Sequence, residues 1–315
     1  MTNPKTIALE SLYSDRFIVR KRELTKTNLR HWRNIPLFSV VEISVVAACN
    51  RRCSFCPVSD SYYKELSLKG VMKKSLYDKL LDDLCSINYS GMILFSGESE
   101  PLLHKRLHEW IETTKKRLPD STIEVNTNGD LLTLDSLTKL FKSGLDAISI
   151  SMYDGPHQIA SFETLRKKAM LSTSQVLLRR RYLDGGNLGM VMSNRGGLID
   201  IEEFQQSAEI DAEFPLKKNC YYPFYYLVLD VSGNITMCSH DWGKKYVCGN
   251  ILQSDIFSIW TNERMTEARQ KLSSCNRNLS SCENCNAEGE LIGKQHFSAW
   301  LSIEKRVPKG TKADT

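Results

Sequence analysis

From residue 40 to about residue 195, short runs of β-branched and apolar residues alternate with longer stretches whose apolar positions recur every three or four residues. The short runs predict strands over 40–48, 91–96, 122–127, 146–152, 175–182 and 188–193. The longer stretches predict helices over about 75–88, 102–118, 133–143 and 160–172, with Ser75, ahead of Asp78, capping the first. Repeated βα units imply an α/β fold with a parallel sheet and helices outside it. Six strands fall short of the eight that close a barrel. An open, partial (βα)6 TIM-like barrel and a doubly wound sheet both fit, and in either the reactive groups belong at the C-terminal ends of the strands.

Beyond residue 200 the pattern changes. Two apolar runs, 227–230 and 235–238, flank the turn Ser232-Gly233-Asn234 and predict a β-hairpin, with Cys220 and Cys238 at its outer ends. A helical stretch follows from Ser254 to Lys271. The chain therefore divides into a basic N-terminal extension (1–39), a barrel (40–200), a small hairpin-plus-helix domain (201–290) and a tail (291–315). The basic segment from Arg16 to Arg33 reads as a solvated helix face.

Composition narrows the function classes. A net charge of +5 over 315 residues is too mild to argue for nucleic acid. No apolar run reaches the roughly 18 residues of a membrane span, and Met1 to Lys26 lacks an apolar signal core, so a cytoplasmic location is expected. Ten cysteines in such a chain point to metal rather than to disulfides. Three of them, Cys49, Cys53 and Cys56, follow the first strand as C-x3-C-x2-C. Three thiolates on one loop can hold three irons of a [4Fe–4S] cube and leave the fourth iron open; a zinc site would want a fourth ligand nearby. Four more, Cys220, Cys238, Cys282 and Cys285, suffice to close a second cluster, with a structural zinc on the same thiols as the alternative.

Other polar motifs fall at strand ends. Gly97-Glu98-Ser99-Glu100-Pro101 follows the second strand and Asn126-Thr127-Asn128-Gly129 ends the third. Ser149 and Ser151 share one face of the fourth, ahead of Tyr153 and Asp154; Arg179 and Arg181 share one face of the fifth. Arg195, before two glycines, follows the sixth. Cys85 reads as a buried small residue on a helix; Cys275 either substitutes in the second metal site or lies in a loop.

The three-cysteine loop and the strand-end motifs resemble the radical S-adenosylmethionine (SAM) enzymes. That resemblance implies the partial barrel and a [4Fe–4S] cluster whose open iron chelates the methionine end of SAM, which is cleaved to a 5'-deoxyadenosyl radical. Gly97, Ser99 and Glu100 stand where the family has Gly-Gly-Glu-Pro, with Glu100 gripping the SAM amino group and Ser99 in place of the second Gly. Asn126 and Asn128 match the turn beside the ribose, Phe55 the aromatic that touches adenine, and Ser149 and Ser151 line the same end. An inward Arg179 and Arg181 would suit the SAM carboxylate. The C-terminal region resembles the shortened "twitch" form of the SPASM domain: C-x17-C, Gly233-x4-Cys238, Gly249-Asn250-Ile251, Ile259-Trp260 and a closing C-x2-C. It implies one auxiliary [4Fe–4S] cluster on Cys220, Cys238, Cys282 and Cys285.

The expected reaction is oxidation at a C–H of a small polar, sugar- or aminocyclitol-like substrate, with the auxiliary cluster as electron acceptor. Epimerisation with Cys248 as hydrogen donor is the close alternative; ribosomal-peptide modification and a non-enzymatic iron–sulfur carrier are others. Arg195 and Tyr153 are catalytic candidates by location. The implied partners are a small-molecule substrate and a flavodoxin- or ferredoxin-type electron donor, with neither nucleic acid nor membrane.

Overall fold

The computed structural model describes residues 15–59, 70–182, 193–200 and 213–304. After helix α1 (Arg16–Thr27) and a small hairpin, β1 (His31–Trp32) with β2 (Ile35–Pro36), four βα repeats and a fifth strand follow. Their strands are β3 (Val40–Ile43), β4 (Met92–Phe95), β5 (Thr122–Thr127), β6 (Ala147–Met152) and β7 (Val176–Arg180). Between them lie α2 (Lys74–Ser86), α3 (Leu107–Arg117), α4 (Leu134–Lys142) and α5 (His157–Lys168). The second half supplies α6 (Tyr222–Tyr225), β8 (Tyr226–Leu229), β9 (Asn234–Thr236), β10 (Val247–Asn250), α7 (Ile256–Thr261), α8 (Glu263–Ser273) and α9 (Lys294–Glu304).

One eight-stranded sheet has the order β10-β9-β8-β3-β4-β5-β6-β7. From β8 to β7 every neighbouring pair is parallel, while β9 and β10 continue antiparallel beyond β8. The α/β class and the parallel sheet agree with the sequence. The outer hairpin strand expected at 227–230 is also the sixth parallel strand, paired with β3 from Val40↔Tyr226 to Ile43↔Leu229. The sheet thus runs across the boundary drawn at residue 200. The strand expected over 188–193 lies outside the described residues except for Ser193, which is not in a strand.

Alternation along the strands sorts the apolar residues into two cores. Val41, Ile43, Ile93, Phe95, Val125 and Ile150 face outward and pack under the helices. Val40, Met92, Leu94, Tyr226 and Val228 face inward and meet Phe17 of α1. The inward face is otherwise polar and buried, with Glu42, Glu124, Ser149, Ser151 and Arg179 on it. Buried charges must be paired or serve a ligand, so this face marks the functional side.

Two local expectations are corrected. Helix α2 starts at Lys74 with Lys73 as the residue before it, φ −67° and ψ 140°, and no side-chain cap. A cap must sit in extended backbone outside the helix, whereas Ser75 is already within it; Asp78 instead accepts an ion pair from Lys74 at 2.6 Å. Helix α1 is not a solvated face. Phe17, Lys21 and Thr25, four residues apart, form a buried stripe, and Arg20 reaches Glu124 on β5 at 2.5 Å.

Candidate active site

A cavity of about 310 Å³ opens within the strands, walled by the cysteine loop, the ends of β4 to β7, the second-half segment 238–242 and helix α1. Cys49, Cys53 and Cys56 all line it. Their loop is held by Cys56 N–H donating to the Cys53 carbonyl at 3.0 Å and Arg51 N–H donating to Cys49 Sγ at 3.4 Å. Arg51, which sequence reading passed over, ties the loop to two neighbours at once. It donates to Asp130 after β5 at 2.5–2.6 Å and to Asp154 after β6 at 2.6–2.7 Å, with its guanidinium over the Tyr153 ring. Burial pushes all three thiols up, Cys53 to about 11. Metal binding must therefore displace protons from them.

Gly97 is required by geometry. Its φ is +91°, and a Cβ there would lie 2.1 Å from Ser44 Oγ at the end of β3; the same hydroxyl accepts from Glu98 N–H at 3.2 Å. Ser99, in place of a usual glycine, has no positive φ and carries no strain on that account. Glu100, 2% exposed, spends its carboxylate on protein: Oε1 accepts from Leu102 N–H at 3.0 Å and Thr127 Oγ1 at 2.7 Å, Oε2 from Asn128 N–H at 2.8 Å. It welds the β4 loop to the β5 turn. Glu98 is the less committed neighbour, lining the cavity and ion-paired with Lys244 of the second half.

Asn128 donates to Asn50 Oδ1 at 2.8 Å and approaches Cys49 Sγ at 3.9 Å. Phe55 stacks on Tyr153, ring centroids 5.7 Å apart and 25° between planes, and both line the cavity. Burial raises the Tyr153 hydroxyl pKa. Ser151 lines the cavity; Ser149, one layer deeper, does not. Arg179 and Arg181 both reach the cavity wall and share one counter-ion, Asp15, at 3.1 and 3.3 Å. Desolvation holds Arg179 down to about 10. Burial would raise Asp15, yet the two guanidiniums bring it below the ordinary aspartate value. Asp15 gave no sequence signal, because its partners are 164 and 166 residues away.

The second half presses on the same cavity. The loop Ser193-Asn194-Arg195-Gly196-Gly197 is stapled to the final cysteine loop: Asn194 Nδ2 donates to the Asn284 carbonyl at 2.6 Å and Asn194 N–H to Asn286 Oδ1 at 2.9 Å. Arg195 thereby lines the cavity, 5.4 Å over the Trp242 ring. His240 lines it too, with Ser193 Oγ 2.6 Å from Nδ1 and Tyr222 Oη 3.1 Å from Nε2. Burial pushes its pKa down to about 3, so the ring is neutral at ordinary pH.

Directly behind, Cys220, Cys238, Cys282 and Cys285 line a second, small cavity that shares Cys238 and His240 with the first. Burial pushes these thiols up, Cys220 to about 11 and Cys282 to about 12. Arg277, 2% exposed, staples the segment before Cys220 to the one after Cys285 through the carbonyls of Lys218, Asn219, Ala287 and Glu288. Among the described residues no three Cys, His, Asp or Glu side chains converge as a single-ion site.

Cys248 lines neither cavity: it is 2% exposed in the outward core, its Sγ 3.8 Å from the Tyr246 carbonyl, so the structure does not bring it together with the other candidate site residues. Cys275 is exposed beside Asn219 and lines neither cavity, and Cys85 is half-buried near the Arg117 carbonyl.

The residues fit the cofactors that such loops hold. Ser99 Oγ, Asn126 Oδ1 and Arg195 Nε are buried, have no hydrogen-bond partner, and belong to residues on the cavity wall; orphaned polar atoms there suit a bound polar ligand.

Comparison with known proteins agrees with this geometry. Residues 43–173 match the radical SAM superfamily, and residues 220–286 match an iron–sulfur cluster-binding domain, SPASM. The chain belongs to the radical SAM superfamily, and its cofactors are SAM, the [4Fe–4S] cluster that binds it and an auxiliary iron–sulfur cluster. It is similar to the S-adenosyl-L-methionine-dependent 2-deoxy-scyllo-inosamine dehydrogenase of Niallia circulans, with 33% identity over 79% of this chain and 93% of that one. The crystal structure of BtrN in complex with AdoMet and 2-DOIA aligns over 81% of this chain and 95% of that one, at 32% identity and a TM-score of 0.67. For BtrN in an open conformation the TM-score is 0.58 at 27% identity, over 80% and 93%. At 13% identity, anSMEcpe with bound AdoMet shares the fold, with a TM-score of 0.52 over 87% of this chain and 97% of that one.

Proposed function

We propose that this enzyme is a dehydrogenase that oxidises a carbinol carbon of a small cyclic polyol or aminocyclitol by two electrons. The observation that carries the reading is the shared wall: Cys238 and His240 border both the cavity of the three-cysteine loop and the cavity of the four-cysteine group. Bound at these thiols, the SAM-holding cluster supplies a 5'-deoxyadenosyl radical for hydrogen abstraction, and the auxiliary cluster supplies an acceptor for the second electron. Cys49, Cys53 and Cys56 are assigned to the first and Cys220, Cys238, Cys282 and Cys285 to the second.

The chain's own groups bind and orient. Phe55 and Tyr153 offer a stacked aromatic wall for adenine, while Gly97, Ser99, Asn126, Asn128 and Ser151 present polar edges to the rest of SAM. Ser149, a layer deeper, supports Ser151. Arg179 and Arg181 carry one more positive charge than Asp15 neutralises, enough to hold a carboxylate. Glu100 fixes the backbone of these turns rather than spending its oxygens on SAM. Arg195, whose Nε is buried and unpartnered on the cavity wall, is assigned to donate a hydrogen bond to a substrate hydroxyl oxygen. The dehydrogenase relative, 33% identical, supports both reaction and substrate class. No helix among the described residues is long and apolar enough to cross a membrane; we place the enzyme in the cytoplasm with a flavodoxin- or ferredoxin-type donor.

The test is anaerobic turnover of the reconstituted enzyme with SAM, reductant and 2-deoxy-scyllo-inosamine. The expected result is one 5'-deoxyadenosine for each product molecule two mass units lighter than substrate. A product of the substrate's mass in H2O that becomes one mass unit heavier when turnover is run in D2O would refute dehydrogenation.

A further inference from the structure

Helix α1 lies ahead of the residues that either family model matches, yet it forms part of the cavity wall: Phe17, Ile18 and Lys21 all line the space beneath the cysteine loop. Lys21 is its one charged contribution. The side chain is 6% exposed, and its ammonium sits 4.8 Å from the Phe17 ring centroid and 4.7 Å from that of Tyr226. It donates to Tyr226 Oη at 3.3 Å, and Tyr226 in turn donates to Glu42 Oε2 at 2.6 Å. Tyr226 and Glu42 are inward residues of β8 and β3, and both line the same cavity.

An ammonium has three donors, and Tyr226 is the one hydrogen-bond acceptor described for Lys21. Two aromatic faces hold the charge in place without using its protons. Burying a lysine at such a cost is rare unless it is paired or serves a ligand, and its carboxylate Glu42 is reached only through the phenol. Arg20, next in sequence, is already consumed by Glu124. Lys21 and Glu42 thus form a pair bridged by the Tyr226 hydroxyl, beside the ion pairs Arg20–Glu124 and Arg179–Asp15, and Lys21 keeps donors to spare.

We propose that Lys21 is a specificity-determining residue of the substrate site, donating to a hydroxyl oxygen of the ring and selecting for an oxygen substituent at the cavity floor. An ammonium substituent there would face the Lys21 charge at close range, whereas a hydroxyl can accept from Lys21 and donate toward the Tyr226–Glu42 pair. The amine of an aminocyclitol is therefore turned away from the floor. This rests on the polyol substrate class proposed above, and it assigns to helix α1 a role that the family match does not cover.

The experiment is calorimetric binding to the holoenzyme with SAM bound and no reductant, so that no turnover is needed. The probe is 2-deoxy-scyllo-inosamine, titrated into wild type and Lys21→Met, which keeps length and apolar packing. Loss of one charge-assisted hydrogen bond predicts a roughly 10- to 100-fold weaker dissociation constant in the variant. SAM affinity and iron content should be unchanged, which a merely structural role in seating α1 would not leave so. Wild-type binding that the variant matches within about twofold, or a loss of SAM affinity alongside, overturns the role of Lys21 alone. Absence of binding to wild type overturns the polyol substrate class, and the Lys21 assignment with it.

Discussion

Replacing Arg277 by Met should empty the auxiliary site while leaving the SAM site loaded. Arg277 is buried and carries no described carboxylate partner; four carbonyls take its protons instead, at 3.2 Å (Lys218), 3.1 Å (Asn219), 2.8 Å (Ala287) and 3.4 Å (Glu288). Two of these carbonyls lie within two residues of Cys220 and two within three residues of Cys285. The guanidinium also counters thiolate charge, lowering the pKa of Cys220, Cys282 and Cys285 against the burial that raises them. Hydrogen bonds to a charged group contribute about 1.5–3 kcal/mol each. Counting only the two shortest, the loss is about 3–6 kcal/mol, on the order of 6 °C or more in melting temperature for a domain of this size. Gly289 shows how tightly the staple is packed: a Cβ there would meet Arg277 Nη2 at 2.7 Å and Cys220 Sγ at 2.9 Å. The assay is iron and acid-labile sulfide per chain after anaerobic reconstitution, with melting followed by circular dichroism. Wild type should hold about eight irons and Arg277→Met about four, and Arg277→Lys, which keeps the charge but not the fork, should fall between. Full iron content with an unchanged melting temperature in Arg277→Met would show that the four carbonyl contacts do not hold the site together.

Cys49/Cys53/Cys56→Ala should lower iron from about eight to about four per chain and abolish 5'-deoxyadenosine formation; residual SAM cleavage would contradict the assignment of the open-iron cluster to this loop. Gly97→Ala should weaken SAM binding at least tenfold, measured by equilibrium dialysis, because its φ of +91° and the Ser44 contact both oppose a side chain; unchanged affinity would show that the loop can relax. Cys248→Ala should keep wild-type turnover and 5'-deoxyadenosine yield, since the thiol lies in the outward core, and complete loss of turnover with both clusters intact would support the hydrogen-donor role. Burial holds Lys21 down to about 8, with Glu42 opposing it, against an unfolded value of about 10.4. Between those values the unfolded chain binds more protons, so this group makes stability rise with pH. Denaturant melts at pH 8 and pH 10 should show that rise in wild type and a smaller one in Lys21→Met, and equal slopes would argue against burial of the charge.

The chemistry of this protein was local and could be read from the chain. C-x3-C-x2-C after an apolar run needs nothing distant to declare an iron site, and strands β3 to β7 declared themselves as short β-branched and apolar-rich runs, several of them alternating apolar with polar residues. The turns at Gly97 and Asn126–Gly129 followed from their position at strand ends. What the sequence left undetermined depends on residues far apart in the chain. Nothing local distinguishes a basic amphipathic helix lying in solvent from one whose Lys21 and Phe17 stripe packs on the inward face of a sheet; the choice is made by Glu42, Glu124 and Tyr226, residues that only the assembled sheet brings to it. The same holds for Asp15 between two arginines, for the commitment of Glu100 to Thr127 and Asn128, and for the burial of Cys248 away from the cavity. The pairing of β8 with β3, which joins the two metal-binding halves through one sheet, follows from strand-edge hydrogen bonding between segments some 186 residues apart. Periodicity reports which face of an element is apolar; only the tertiary structure decides what that face meets.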